Sequence, residues 1–330
     1  MRSLEPARDQ IDRFRAAVER LSGAPERLGV AVSGGADSVA LLLLAAAAFP
    51  GKVEAATVDH GLRRESIVEA LHVEDICERA GCPHTILSVS VPDGTAGLQA
   101  GARAARYTAL ASWAEARGIG QLATAHHLDD QAETLLMRLQ RGSGVGGLSA
   151  IRPVRRQGGL LILRPLLAWT KAELVHLVAC AGIEPVEDPS NHDIRFDRTA
   201  MRRFLSDNPQ FSAQRLARTA AAAREADEAL DWAADQLAED RITSAVGEWR
   251  IDPAELPREL KRRLLVRAIV LVRQAHAIEP PWTGSEDVEG LLAALELGGT
   301  ATLAGIMARG GLCWHLRPAP PRRPTRLPEP

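Results

Sequence analysis

The sequence predicts an α/β protein: a parallel sheet with helices on both faces, followed by a smaller, mainly helical domain. Three observations carry that prediction. Strand-like and helix-like segments alternate from Leu28 to Gln140, the pattern of βα units wound into a parallel sheet. The conspicuous polar residues fall where the predicted strands end, the position at which ligands gather in such sheets. Beyond Asn208-Pro209 the alternation stops, and Ser212 to Glu239 reads as one long helix studded with alanine, acids and arginine. The predicted domains are therefore residues 1–210 and 211–317, with a Pro- and Arg-rich tail, 318–330, expected to be disordered.

With 330 residues, 46% of them hydrophobic, the chain can bury a substantial core. The net charge of -2 and a pI near 6.5 exclude a generally basic nucleic-acid coat and leave only local patches for a polyanion. Lysine occurs only at Lys52, Lys171 and Lys261, so arginine is the habitual cation and a single arginine is weak evidence of function. The four cysteines, Cys77, Cys82, Cys180 and Cys313, form no C-x-x-C pair, which argues against a disulfide framework or a zinc site and for reduced thiols. The charged N-terminus lacks the apolar core of a signal peptide, and no apolar run has the length of a membrane span. A soluble, cytoplasmic protein with no membrane partner is expected.

The first βα unit is the most informative. Leu28 to Val32 is a short apolar strand, and Ser38 to Ala48 is a continuously apolar run of strong helix formers. Between them lies Ser33-Gly34-Gly35-Ala36-Asp37-Ser38. Paired glycines let successive N–H groups point into one concavity at the positive end of the following helix, which suits a phosphate. The plainer alternative is a βα turn with Ser and Asp as helix caps. The stretch lacks the lysine of G-x-x-x-x-G-K-[ST] and resembles the pyrophosphate loop of the ATP pyrophosphatase superfamily. That resemblance makes Ser33, Gly34, Gly35 and Ser38 phosphate ligands and Asp37 a ligand of Mg²⁺.

The chain then predicts strands at 53–58, 85–91 and 121–125 and helices at 66–80, 99–117 and 130–140. Asp59-His60-Gly61-Leu62-Arg63 follows the second strand; His60 and Arg63 have a plain loop role as their alternative. His126-His127-Leu128-Asp129-Asp130-Gln131-Ala132-Glu133 follows the fourth. Here a capping box made by Asp130 and Glu133 is the alternative to a binding role, and zinc is disfavoured because H-E-x-x-H spacing is missing. Arg103 and Arg106 share one helical face beside Tyr107. Gly142 to Gly147 reads as a helix end and connector, and Thr170-Lys171-Ala172-Glu173 as a capping box with no further role for Lys171. Asp188-Pro189-Ser190-Asn191 is turn chemistry. Arg195, Arg198, Arg202 and Arg203 follow it with Phe196, a cationic segment with one aromatic, suited to phosphate contacts and to stacking of an unpaired base. For Lys261-Arg262-Arg263 a solvated helix face is the favoured reading.

The runs VDHGLRRES (58–66), ATAHHLDDQAETLLMRLQRGSGVGGLSAI (123–151) and EDPSNHDIRFDRTAMRRF (187–204), in this order after SGGADS, resemble the signatures of the tRNA(Ile)-lysidine synthase family in its shorter form. The resemblance implies an adenine nucleotide alpha hydrolase-like fold and a ligase using ATP and Mg²⁺. ATP would adenylate the C2 carbonyl oxygen of the wobble cytidine in the CAU anticodon of tRNA(Ile), and free L-lysine would then displace AMP, so that the tRNA reads AUA as isoleucine. It implies that His60 and His126 contact the nucleotide, Arg106 the adenylated intermediate or tRNA, Asp130 and Glu133 the lysine, and the four arginines from Arg195 to Arg203 the tRNA. A homodimer is among the assemblies it allows. Gly97, where the family often has Asn, and Gly101, inside a predicted helix, depart from the pattern. The alternatives are a pyrophosphate-loop tRNA thiolase, disfavoured by the lack of a C-x-x-C pair, and a non-catalytic nucleotide-binding module, disfavoured by Asp37, His126, Asp130 and Glu133 standing together.

Overall fold

The computed structural model describes residues 4–59, 65–89, 98–186, 197–245, 247–280, 282 and 287–320. An amphipathic helix, α1 (Arg8–Ser22), buries Ile11, Phe14 and Val18. The predicted alternation follows: β1 (Leu28–Ala31), α2 (Ala36–Ala48), β2 (Val53–Asp59), α3 (Glu65–Arg79), β3 (His84–Ser88), α4 (Leu98–Ala116), β4 (Gln121–Ala123) and α5 (Leu128–Gln140). The glycine-rich connector holds one turn of helix, α6 (Val145–Leu148). Then come β5 (Val154–Gln157), β6 (Leu160–Leu163), α7 (Lys171–Cys180) and α8 (Asp197–Asp207).

The six strands form one sheet of order β3-β2-β1-β4-β6-β5. All neighbours run parallel except β5, which returns antiparallel along β6. α2 is apolar all round, as a helix buried on every side must be: α1 and α7 pack on its flanks and β1 beneath it, and Leu41, Leu42 and Leu44 have no exposed surface. The other face of β1 meets α4. There a Cβ on Gly29 would come within 3.0 to 3.2 Å of Trp113, Leu122 and Ile119, so only glycine lets α4 settle this close to the central strand. The two faces of β1 thus bury Val30 in one apolar cluster and Ala31 in the other.

The chain divides into two compact units, Met1–Arg224 and Glu225–Pro330. The division falls inside α9 (Ala213–Arg241), the long helix read from the sequence. Its first turns belong with the first unit, where Leu216 and Ala220 pack with Leu135 and Ala150, so that unit runs past residue 210. The second unit contains β7 (Ile242–Ala245), β8 (Glu248–Ile251), α10 (Arg258–Ala275), α11 (Glu289–Glu296), β9 (Thr300–Leu303), β10 (Ile306–Arg309) and β11 (Trp314–Pro318). The expected helices are present, and the structure adds a five-stranded sheet of order β7-β8-β11-β10-β9. Leu264, Leu265, Ile269, Ile251, Trp314 and Leu316 fill the core between helices and sheet.

Charge in this unit is organised by helix spacing. Asp227, Asp231 and Asp235 recur every four residues on α9 and face Arg263 and Arg267 of α10. Arg263 lies 2.6 Å from Asp227 and 2.7 Å from Asp231, and Arg267 lies 2.6 Å from Asp235. Arg262 pairs with Glu289 at 2.5 Å, and Lys261 lies 3.9 Å from Glu296. The cluster Lys261-Arg262-Arg263 is therefore occupied by acids of its own unit. No described helix is long and apolar enough to cross a membrane.

Candidate active site

β1 and β4 are sheet neighbours, but the chain leaves β1 toward β2 on one side and reaches β4 on the other only later. The crevice at their carboxyl ends is the topological switch point, where an open α/β sheet binds its ligand. Ser33 to Ser38 continues from β1, Thr124 to Asp130 continues from β4, and Thr170-Lys171 follows β6 on the far side of β4. Residues of all three line a cleft of about 1210 Å³, joined by Arg103 and Arg106 of α4 and Arg198 and Arg202 of α8.

The loop after β1 is shaped by its glycines. Gly34 has φ +87°, and a Cβ there would stand 2.9 Å from the Val186 side chain. The Val186 amide also donates to the Gly34 carbonyl at 3.0 Å. α2 starts after Gly35, and no side chain caps it, which leaves its first amides for an anion and removes capping as the purpose of Asp37 and Ser38. Ser38 Oγ instead donates to the Gly35 carbonyl at 2.9 Å and accepts from the Ser33 amide at 3.1 Å.

Asp37 carries its carboxylate into the cleft. Lys171 Nζ lies 2.8 Å from Oδ1 and 2.7 Å from Oδ2, and the Lys171 amide donates to Asp129 at 2.8 Å. Beneath them His127, only 3% exposed, stands among three acids: Nε2 is 3.6 Å from both Asp37 and Asp130, and Nδ1 is 3.5 Å from Asp129. Burial opposes a charge on His127, but Asp129, Asp37 and Asp130 outweigh it and push the imidazole up to about 9. Burial likewise disfavours ionisation of Asp37, yet His127 and Lys171 hold it below the ordinary carboxylate value. The adjacent His126 is the opposite case. Burial, helped by Arg164, Arg198 and Arg103 against Asp130, pushes it down to about 3, so it is a neutral imidazole with Nδ1 3.0 Å from Thr124 Oγ1.

Asp130 and Glu133 do not form the capping box that their spacing allows. α5 begins at Leu128, so Asp130 is its third residue and accepts from the His127 amide at 3.0 Å. Glu133 lies one turn deeper, 2% exposed. Arg202 Nε donates to Glu133 Oε1 at 2.7 Å. Arg198 Nε is 3.1 Å from Oε2, but off the hydrogen-bonding direction, and Oε2 accepts no hydrogen bond among the described residues. Burial raises the pKa of Glu133, with Arg202 opposing and Asp130 adding to the rise. Arg198 and Arg202 are four apart on α8 and both face α5; Asp130 lies 3.7 and 3.9 Å from them.

Of the four arginines expected to meet RNA, two are thus turned onto the acid pair. Arg203 is exposed, 3.8 Å from Asp207, and Arg195 lies outside the described residues, as do Phe196, the turn 188–191, His60, Arg63, Gly97 and residues 321–330 of the tail. Arg106 is half-buried on the cleft wall, and Arg103 stacks over the Tyr107 ring at 5.2 Å. Among the described residues no group of three or more His, Cys, Asp or Glu side chains is arranged to hold a metal. A magnesium ion bound through nucleotide phosphates needs only one or two carboxylates. Asp37 fits that need, being ionised, beside the glycine loop and already holding a cation. Lys171, His127 and Asp129 belong to this site although the sequence assigned them no role in it.

An open α/β sheet with a glycine loop at its switch point and an ionised acid on that loop defines the PP-loop class, and a PP-loop domain model matches residues 7–208. The chain is 42% identical to the tRNA(Ile)-lysidine synthase of Zymomonas mobilis over 321 residues, 95% of each chain. It is 43% identical to that of Novosphingobium aromaticivorans over 322 residues, 96% of each. It belongs to the tRNA(Ile)-lysidine synthase family. Its fold is also that of the U34-tRNA thiolase NcsA from Methanococcus maripaludis, solved with its 4Fe-4S cluster (TM-score 0.53, 18% identity, 64% of this chain and 78% of that one), a likeness of fold alone.

Proposed function

We propose that the protein joins free L-lysine to C2 of the wobble cytidine in the CAU anticodon of tRNA(Ile), in two steps within one cleft. The observation that carries this beyond nucleotide binding is Glu133. It is a buried carboxyl with a raised pKa and one oxygen lacking a hydrogen-bond donor, in the same cleft as the phosphate loop. A nucleotide brings no cation of its own to such a group; an amine does.

In the first step the C2 carbonyl oxygen attacks the α-phosphorus of ATP, and pyrophosphate leaves with the electrons of the broken P–O bond. The α2 amides with Ser33 and Ser38 hold the phosphate chain, and His126, being neutral, offers the nucleotide a hydrogen bond rather than a charge. Asp37 would hold Mg²⁺, which when bound neutralises phosphate charge. In the second step the lysine ε-ammonium must lose a proton before it can attack. Burial makes Glu133 a stronger base than an exposed carboxylate, while Arg202 and Arg198 fix its position. The new C2–N bond forms as the C2–O bond to AMP breaks, with Arg106 on the cleft wall to meet the phosphate of the intermediate. No cysteine is among the described residues lining the cleft, and burial pushes the Cys77 and Cys82 thiols up to about 12. Both facts disfavour sulfur delivery.

The second unit holds the body of the tRNA in this scheme. Its α10 cluster is neutralised, and on its sheet, where register aligns Arg250, His315 and Arg309 across β8, β11 and β10, Arg250 and His315 share Glu248 at 3.6 and 3.1 Å. Arg309 and Arg317 are exposed there, and neither has an acid partner among the described residues. The test of the two-step scheme uses ATP labelled at the α-phosphate and a tRNA(Ile) transcript with no lysine present. Label should appear on the RNA and be released as AMP when lysine is added. AMP release independent of RNA would contradict the scheme.

A further inference from the structure

We infer that Lys171 is a catalytic residue of the adenylation step. Its ammonium rests on Asp37 while the cleft is open and transfers to the phosphate chain of bound ATP, where it neutralises charge on the departing pyrophosphate. The inference rests on the ATP-splitting half of the function proposed above.

The glycine loop brings no cation: Ser33 to Ser38 contains no basic residue, although a chain of phosphates must be neutralised there. Lys171 supplies one from the opposite wall, 134 residues away in the chain. Its backbone is fixed. Thr170 caps α7, accepting from the Glu173 amide at 3.2 Å, while Glu173 accepts from the Thr170 amide at 2.7 Å, and the Lys171 amide is held by Asp129. The side chain is not fixed in the same way, being 46% exposed and resting on Asp37. A lysine on a fixed stem has the reach to exchange one anion for another beside it.

Three of the other cations of the cleft have partners already. Arg198 and Arg202 face Glu133, and Arg103 covers Tyr107. When Lys171 leaves, Asp37 still has His127 Nε2 3.6 Å from its carboxylate. In the reaction no bond to Lys171 forms or breaks. The P–O bond electrons go to pyrophosphate, and the ammonium, a compact point charge rather than a planar fork, meets the oxygen that receives them. The sequence shows only a residue at the first position of a well-capped helix.

Three lysines in the whole chain make the test direct. Protein grown with ¹³Cε-lysine should give three side-chain NMR resonances, with Lys171 assigned by its loss in Lys171→Arg. Pyrophosphate alone, then ATP alone, should shift the Lys171 resonance and leave those of Lys52 and Lys261 in place. In single-turnover transfer of labelled AMP to tRNA, Lys171→Met should lower the rate on the order of 10²–10³-fold, the cost of losing one charge-stabilising group. Calorimetric ATP affinity should change only a few-fold, and Lys171→Arg should recover part of the rate. A Lys171 resonance unmoved under calorimetrically saturating ATP, or adenylation by Lys171→Met within about threefold of wild type, would overturn the inference. If the wild type fails to adenylate tRNA, the proposed function is at fault, and the pyrophosphate shift still reports on Lys171. Matching circular dichroism and melting temperature for both variants exclude misfolding as the cause of a lost rate.

Discussion

Deprotonating His127 should destabilise the protein in a defined alkaline window. The imidazole sits among Asp37, Asp129 and Asp130, which overcome burial and move it from 6.5 to about 9. At about 1.36 kcal/mol per unit, that difference is linked to roughly 3 kcal/mol of folding free energy. Because the folded value lies above the unfolded one, this contribution is complete below about pH 6.5, declines as the pH rises, and is gone once the pH has passed about 9. Asp37 and Asp129 are shifted the other way, below 3.8, so their contribution is present above that value and lost on acidification. The network is therefore most stabilising between the carboxylate range and pH 6.5. Long-range ¹H–¹⁵N NMR of the histidine rings, with His127→Gln for assignment, gives the titration directly. Urea unfolding at pH 6 and pH 9.5 gives its consequence: the wild type should lose more stability than His127→Gln by a few kcal/mol. A ring titrating at or below 6.5, or equal losses in both proteins, would refute the reasoning.

Three further outcomes are expected. Asp37→Ala should abolish pyrophosphate release while circular dichroism shows an intact fold; near-normal turnover would remove Asp37 from the metal and phosphate site. Glu133→Gln should let adenylated tRNA accumulate, slowing discharge by lysine by about 10²-fold or more with the first step little changed; equal slowing of both steps would point to a structural role instead. Arg309→Glu with Arg317→Glu should weaken tRNA binding across sequences and lower the salt slope by about one per lost phosphate contact, with ATP affinity unchanged. A folded chain ending at Arg224 should show the same pattern more strongly and discriminate less between isoleucine and methionine tRNAs.

The central fold was legible because its signals are local and periodic. β1 and α2 are apolar runs broken by one glycine turn, and the strand ends carry the polar residues. What escaped was short or distant. β5 to β10 have four residues each, too few for alternation to stand out against helical spacing, so the hairpin beside β4 and the second sheet went unread. The site was half legible. Motif residues at the ends of β1 and β4 meet in the cleft, but Lys171 was hidden by a capping pattern that is real and explains its neighbours. Of two adjacent histidines, nothing in the sequence marks His127 as the charged one; three surrounding carboxylates decide that, one of them from another loop. The i, i+4 spacing of Arg198 and Arg202 puts both on one face of α8, but only the structure shows Glu133 opposite them.

The most direct test of the proposed ligase activity is the identity of the product. The protein is incubated with ATP, Mg²⁺, ¹³C-labelled lysine and total tRNA, the RNA is digested, and its nucleosides are resolved by mass spectrometry. The account predicts one new nucleoside, cytidine carrying the labelled lysine, confined to tRNA(Ile) with a CAU anticodon and lost when ATP is omitted. ATP consumption with cytidine left unmodified, or modified by another group, would contradict it.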